Sequence, residues 1–218
     1  MLRSIFGPSK DEIWSQMAKD IGGEYIDAGF WSTDDALKYR HGEWEILLDT
    51  SSAGDSMSTR MRTTFLNSDG LRFQIYRGGL FSFVDELFNV GGFEIGQDIE
   101  IGDPFFDDQF IIKGNNESKI KLLLNDATLK QLIQNQPQIF FEIKDDMADG
   151  TAMLCFECGG IIMEASQLRA LFELFTVTLV RLVQIDSAYE SDPAMPPILK
   201  DPALPPILND PNIPPKIQ

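Results

Sequence analysis

Acidic side chains crowd one stretch of this 218-residue chain. "DIEIGDPFFDDQF", residues 98–110, carries Asp103, Asp107 and Asp108, with Asp98 and Glu100 just upstream. Clustered carboxylates can hold a divalent cation or act as an acid/base pair in hydrolysis. The spacing selects neither chemistry, and Asp103 before Pro104 is equally suited to starting a turn. The aromatic and acidic segment 93–110 is therefore read as a small-ligand or cation-binding stretch, with Asp103, Asp107 and Asp108 as its metal-ligating candidates. A hydrolase built on the same carboxylates is a further reading.

Other chemistry-bearing residues point less far. His41 is the one histidine, so a Ser-His-Asp or Cys-His arrangement would have to run through it, and no G-x-S-x-G is present. Beside Gly42, at the mouth of an expected strand, it reads as a surface residue. "CFEC", Cys155 to Cys158, lacks the second ligand pair that structural zinc needs. A redox pair usually opens a helix, whereas this one lies in an expected strand and points its thiols to opposite faces. "DDMADGTAMLCF", residues 145–156, begins like a calcium loop but has Met147 and Phe156 where ligands are needed. Phosphate-binding glycine loops are missing too. No catalytic residue is assigned and no cofactor is expected.

Charge narrows the partners. Against 34 acids stand 18 bases, a formal −16 with pI near 4.3. A field of that sign repels nucleic acid and anionic lipid. The most apolar window, "LRALFELFTVTLVRLVQI", is interrupted by Arg169, Glu173 and Arg181, which argues against a membrane span. Two cysteines and no apolar leader at the start imply reduced thiols in the cytoplasm.

The elements that position these residues follow from periodicity. In "GPSKDEIWSQMAKDIGG" Ser9 and Glu12 make a capping box, Ile13, Met17 and Ile21 form an inward stripe, and Gly22-Gly23 stops the helix. "GEWEILLD", "STRMRTTFL" and "LRFQIY" alternate apolar with polar residues, giving three strands with one apolar and one charged face. Acids of the first lie where they can pair with arginines of the next two. "SDG" at 68–70 predicts a hairpin between the second and third. "QDIEIG" and "DQFIIKG" are further strands, and 116–137 is one or two short helices ending at Pro137. A second hairpin joins "QIFFEIKD" to "TAMLCFECGG" through "DMADG". Ser166 is the expected cap of a final helix striped by Leu168, Leu171, Phe172, Phe175, Leu179 and Leu182, either deeply buried or meeting another chain. Hairpins with helices at the start, middle and end predict an α+β fold with a mainly antiparallel sheet. The body spans 1–190, as one unit or as two tightly packed halves of about 1–95 and 96–190.

"IWSQMAKDIGGEY", "DIEIGDPFFDDQFIIKGN" and "LIQNQP", followed by a long apolar helix, resemble a family of uncharacterised bacterial proteins. The resemblance runs from about Lys10 to Ala188. It implies a bacterial source and a body that stands without the tail, and it carries no activity or site residue.

Residues 191–218 differ in kind. Nine of the 12 prolines lie between Pro193 and Pro215, in the phrases "DPAMPPILK", "DPALPPILN" and "DPNIPPKIQ". Proline at this density excludes helix and central strand, leaving polyproline II with three residues per turn. A nine-residue repeat is then three whole turns, so each repeat shows the same sides. Met195, Ile198, Leu204, Ile207 and Ile213 share one ridge, and Leu199 and Leu208 share the next. The third ridge, with Lys200, Asn209 and Asn212, is the wet one. A plain spacer has no use for these apolar ridges. The leading reading is a non-enzymatic protein whose tail docks on its own oligomer or on a protein partner through those seven residues.

Overall fold

A computed structural model describes residues 7–27, 35–53, 56–78, 97–146 and 150–189. The first helix, α1 (Lys10–Ile21), begins at the predicted capping box: the Glu12 amide donates to the Ser9 hydroxyl and the Ser9 amide to the Glu12 carboxylate. Gly22, at φ 74°, ends it in the left-handed conformation that glycine adopts without strain. Its buried face is Trp14, Met17 and Ala18, with Ile13 and Ile21 only partly covered, so the inward stripe is rotated toward the tryptophan. The Trp14 indole donates to the Ile162 carbonyl at 3.0 Å.

The strands are β1 (Glu24–Ile26), β2 (Ala36–His41), β3 (Trp44–Ala53), β4 (Ser56–Asn67), β5 (Phe73–Arg77), β6 (Gln97–Asp98), β7 (Phe110–Gly114), β8 (Phe140–Asp145), β9 (Thr151–Gly159) and β10 (Ala188–Tyr189). They form one sheet in the order β1-β2-β3-β4-β9-β8-β5-β7-β6, with β10 also on β4, and every named pair is antiparallel. With α1, the helices α2 (Pro104–Gln109), α3 (Glu117–Leu124), α4 (Ala127–Gln134) and α5 (Ala165–Gln184) complete an α+β fold.

Two local expectations are corrected. β4 and β5 do not pair, because the β8–β9 hairpin inserts between them. The "SDG" stretch is a turn of another kind. The Asn67 side chain bonds both the amide and the carbonyl of Leu71, and Asp69 also accepts from that amide. The final helix starts at Ala165 behind Glu164, which makes no side-chain cap, so Ser166 lies inside the first turn instead of capping it.

Strands from both halves of the sequence interleave: β4 lies on β9, and β5 on β7 and β8. Beneath the sheet the core runs through Ile46, Leu48, Met61, Phe73, Ile75, Phe141, Leu154 and Phe156, meeting Leu168, Leu171, Phe175 and Leu179 of α5. Phe141 sits edge-on to Phe175 at 5.8 Å, and Tyr39 edge-on to Phe172 at 5.7 Å. The long helix is thus mostly covered by its own chain, with Val180 exposed. Gly114 is required where β7 crosses this layer: a Cβ there would come within 2.1 Å of Ile120 Cδ1 and 2.8 Å of the Arg72 carbonyl.

Candidate interaction surface

Alternation along the strands places half of the sheet's side chains on the face away from this core. The register aligns one row across it: Lys38, Leu47, Arg62, Cys155, Glu142, Gln74, Lys113 and Asp98 are successive cross-strand partners. A neighbouring row runs Asp49, Arg60, Glu157, Phe140, Tyr76, Ile111. Tyr76, Phe140 and Cys155 are buried apolar residues of this face, and none belongs to the core cluster beneath the sheet.

The face is held by ion pairs of the kind the alternating pattern predicts. Asp49, 2% exposed, accepts from Arg60 Nε at 2.9 Å, Arg60 Nη2 at 3.0 Å and Arg62 Nη2 at 2.8 Å. The bond to Asp49 raises the Arg60 pKa above its ordinary value. Glu142 accepts from Gln74 Nε2 at 3.1 Å and pairs with Lys144 at 2.9 Å. The Ser58 hydroxyl donates to Glu157 at 2.6 Å. On the strands Lys38, Arg40, Arg60, Arg62, Lys113 and Lys144 share this face with Glu24, Glu45, Asp49, Asp98, Glu142 and Glu157, six bases to six acids on a chain of net −16. Bases and acids thus balance on the strands of this face, a pairing visible only once the register is known.

The root of the tail is bolted to the same sheet. Asp186, at φ 57°, turns the chain out of α5; its carbonyl accepts from the Ser68 hydroxyl at 2.6 Å. The Ser68 amide donates to the Ser187 carbonyl at 3.2 Å, and the Ser187 hydroxyl to Asp69 at 2.9 Å. Lys119 joins Asp69 at 3.1 Å and also donates to the Ile185 carbonyl. β10 then pairs Ala188 with Asn67 and Tyr189 with Leu66. Ala188 is buried, and Tyr189, 46% exposed, shares Leu66's side of the sheet, the one away from the core. Met195, Ile198, Leu199, Leu204, Ile207, Leu208 and Ile213, the expected partner-binding residues, lie outside the described residues.

In the acidic segment two of the three carboxylates are engaged in local structure. Asp103 caps α2, accepting from the Phe106 amide at 3.3 Å, and takes the Lys130 ammonium at 2.6 Å. That bond, with the capped amide, holds its carboxyl below the usual carboxylate value. Asp107 accepts from the Ile101 and Gly102 amides, each at 3.0 Å, fastening the preceding loop to the helix. Asp108 is exposed on the same turn. A cleft of about 320 Å³ opens beside Asp103, bordered by Lys121, Asn125 and Lys130. Its nearest carboxylate is already neutralised. Of the expected metal ligands, Asp103 stands as a helix cap, Asp107 as a loop clasp and Asp108 as a surface acid. Among the described residues no group of three His, Cys, Asp or Glu side chains is placed to hold a metal ion.

Cys155 and Cys158 stand on opposite faces of β9, both as free buried thiols whose pKa burial pushes up to about 12. A thiol so disposed is a poor nucleophile and a poor ligand. His41 closes β2 and stacks on Trp44, with ring centres 6.1 Å apart. Phe105, 68% exposed beside a buried Phe106, is one exposed aromatic that periodicity did not single out. Its signal is the proline at the first position of a helix too short to show a period.

No helix among the described residues is long and apolar enough to cross a membrane. No protein-family model, curated protein or solved structure matches the chain.

Proposed function

We propose that this chain is a non-enzymatic protein that works through protein–protein contacts, presenting its C-terminal repeats as a stiff amphipathic rod. The observation that carries this reading is the coincidence of a nine-residue repeat with three turns of polyproline II, which keeps two apolar ridges in line. The fixed root supports it, since a rod anchored through β10 and the Ser68–Asp186 and Ser187–Asp69 bonds is presented in a defined place. A pre-stiffened segment loses less entropy on docking than a flexible one. The engagement of Asp103 and Asp107 in local structure favours this reading over cation binding or hydrolysis at 98–110. Reduced, buried thiols and the resemblance to uncharacterised bacterial proteins support a bacterial cytoplasmic setting. The partner is a second protein or a sister subunit.

The test is made in the full chain with Leu204→Ser, Ile207→Ser and Ile213→Ser together. Sedimentation analysis and quantitative co-purification should show loss of the assembly formed by the unaltered protein, with the circular dichroism spectrum of the body unchanged. An unaltered assembly would overturn the reading.

A further inference from the structure

We infer that a cleft between the end of β2 and the helices α4 and α5 binds a small aliphatic zwitterion, a free amino acid of leucine's kind. The cleft measures about 290 Å³, and its lining includes His41, Asp126, Thr128, Val177, Val180 and Arg181. That volume lies at the small end of ligand sites, which suits an amino acid better than a nucleotide cofactor. The inference goes beyond the contact reading and stands without it.

Period-two alternation builds one wall. Leu37, Tyr39 and His41 turn the same way along β2, toward α5. Leu37 enters the core, and Tyr39 meets Phe172 edge-on at 5.7 Å. His41, the next in that series, is seated on Trp44 and stands further along α5, where Val177 and Val180 line the cleft with it. Val177 is half-buried and Val180 exposed, so the cleft has an aliphatic surface open to a ligand.

Opposite charges share the same cleft. Arg181 lies one turn past Val177 and is held in place by the chain itself: Nη2 donates to the Leu122 carbonyl at 3.0 Å and Nη1 to Gln184 Oε1 at 2.6 Å. Each of these nitrogens carries a second N–H, and two such donors are what a carboxylate accepts. Asp126 caps α4 through the Leu129 amide at 2.9 Å, which fixes its carboxylate. Its Oδ2 stands 3.6 Å from Arg181 Nε. A close hydrogen bond spans about 2.7–3.2 Å, so acid and guanidinium face each other without closing. A lone carboxylate here would meet Asp126, and a lone amine Arg181. An amino acid satisfies both, with its carboxylate on Arg181, its ammonium on Asp126 and its aliphatic side chain against Val177 and Val180. A guanidinium already fixed by two bonds loses little rotamer freedom on binding.

Proton NMR of the full chain tests this, because the imidazole signals of its one histidine belong to His41. L-Leucine titrated at fixed pH should shift those signals saturably. Isocaproate, which lacks the ammonium, and isopentylamine, which lacks the carboxylate, should each bind about tenfold more weakly, the loss of one charged hydrogen-bonded contact. Asp126→Asn keeps α4 capped, since asparagine caps as well as aspartate does. It should weaken L-leucine by about the same factor without weakening isocaproate. No saturable shift with L-leucine up to about 10 mM, ten times a millimolar Kd, overturns the site. Equal binding of L-leucine and isocaproate, or an asparagine variant that binds L-leucine as the parent does, overturns the amino-acid assignment. The comparison of the three probes needs no variant, and none of these outcomes bears on the tail.

Discussion

Replacing Asp49 by asparagine should be one of the costliest single changes on the outer face of the sheet. The carboxylate is 2% exposed and accepts three bonds of 2.8 to 3.0 Å from two guanidiniums. Removing one partner of a fully buried pair costs about 3–5 kcal/mol, because the other charge is stranded. Here the stranded cations keep 30% and 34% of their side-chain exposure, so water recovers part of that loss. Asparagine also retains one acceptor. The expected cost is therefore about 2 kcal/mol, near the value of a hydrogen bond to a charged group. With a urea slope of about 2 kcal/mol/M, the unfolding midpoint should fall by about 1 M at unchanged slope. Arg62→Gln alone should cost about 1 kcal/mol, and close to nothing when Asp49 is already asparagine, since the two changes remove the same contact. Additive effects of the two substitutions, or an asparagine variant as stable as the parent, would refute the assignment of this network as the bolt of the outer face.

Further outcomes are expected. Gly114→Ala should destabilise by about 2 kcal/mol in the same urea assay, because the new methyl would meet Ile120 and the Arg72 carbonyl and force the layer to shift. Asp103 has a lowered folded pKa, so its contribution is present above the unfolded carboxylate value and lost as pH falls through the folded one. The stability gap between the parent and Asp103→Asn should accordingly be full at pH 6 and close with acidification below about pH 4, measured by urea unfolding at each pH. For the cysteines the sign reverses: thiol pKa values raised to about 12 mean stability present below the unfolded thiol value and lost as pH rises toward 12. Ellman's reagent at pH 8 should find neither thiol in the native chain and both after unfolding in urea.

Period-two patterns made β3 and β4 legible, down to which residues would face the core. Met61, Thr63 and Phe65 are buried below the sheet, while Arg60 and Arg62 reach Asp49 on the other side, as the alternation requires. The caps at Ser9 and Gly22 were equally plain, since each is decided within one turn of chain. What escaped was long-range pairing. A turn signal such as Ser68-Asp69-Gly70 reports local backbone geometry and holds no information about which strand comes alongside, so the β8–β9 insertion between β4 and β5 could not be read from it. The short helix α2 was hidden because six residues do not complete two turns; Asp103 caps it and Asp107 holds the loop that precedes it. The outer face was half legible: the alternation announced charged strands, but only the register shows which charges share a row.

The account turns on the tail meeting its partner as a three-residue screw with two apolar sides. Site-specific photo-crosslinking in intact cells of the source organism reads this directly, with a diazirine side chain placed in turn at Ala203, Leu204, Ile207, Leu208, Asn209 and Asn212 of the full chain. Adducts at Leu204, Ile207 and Leu208, with none at Ala203, Asn209 and Asn212, are the predicted outcome. Equal adducts at all six positions, or none at any, would contradict it.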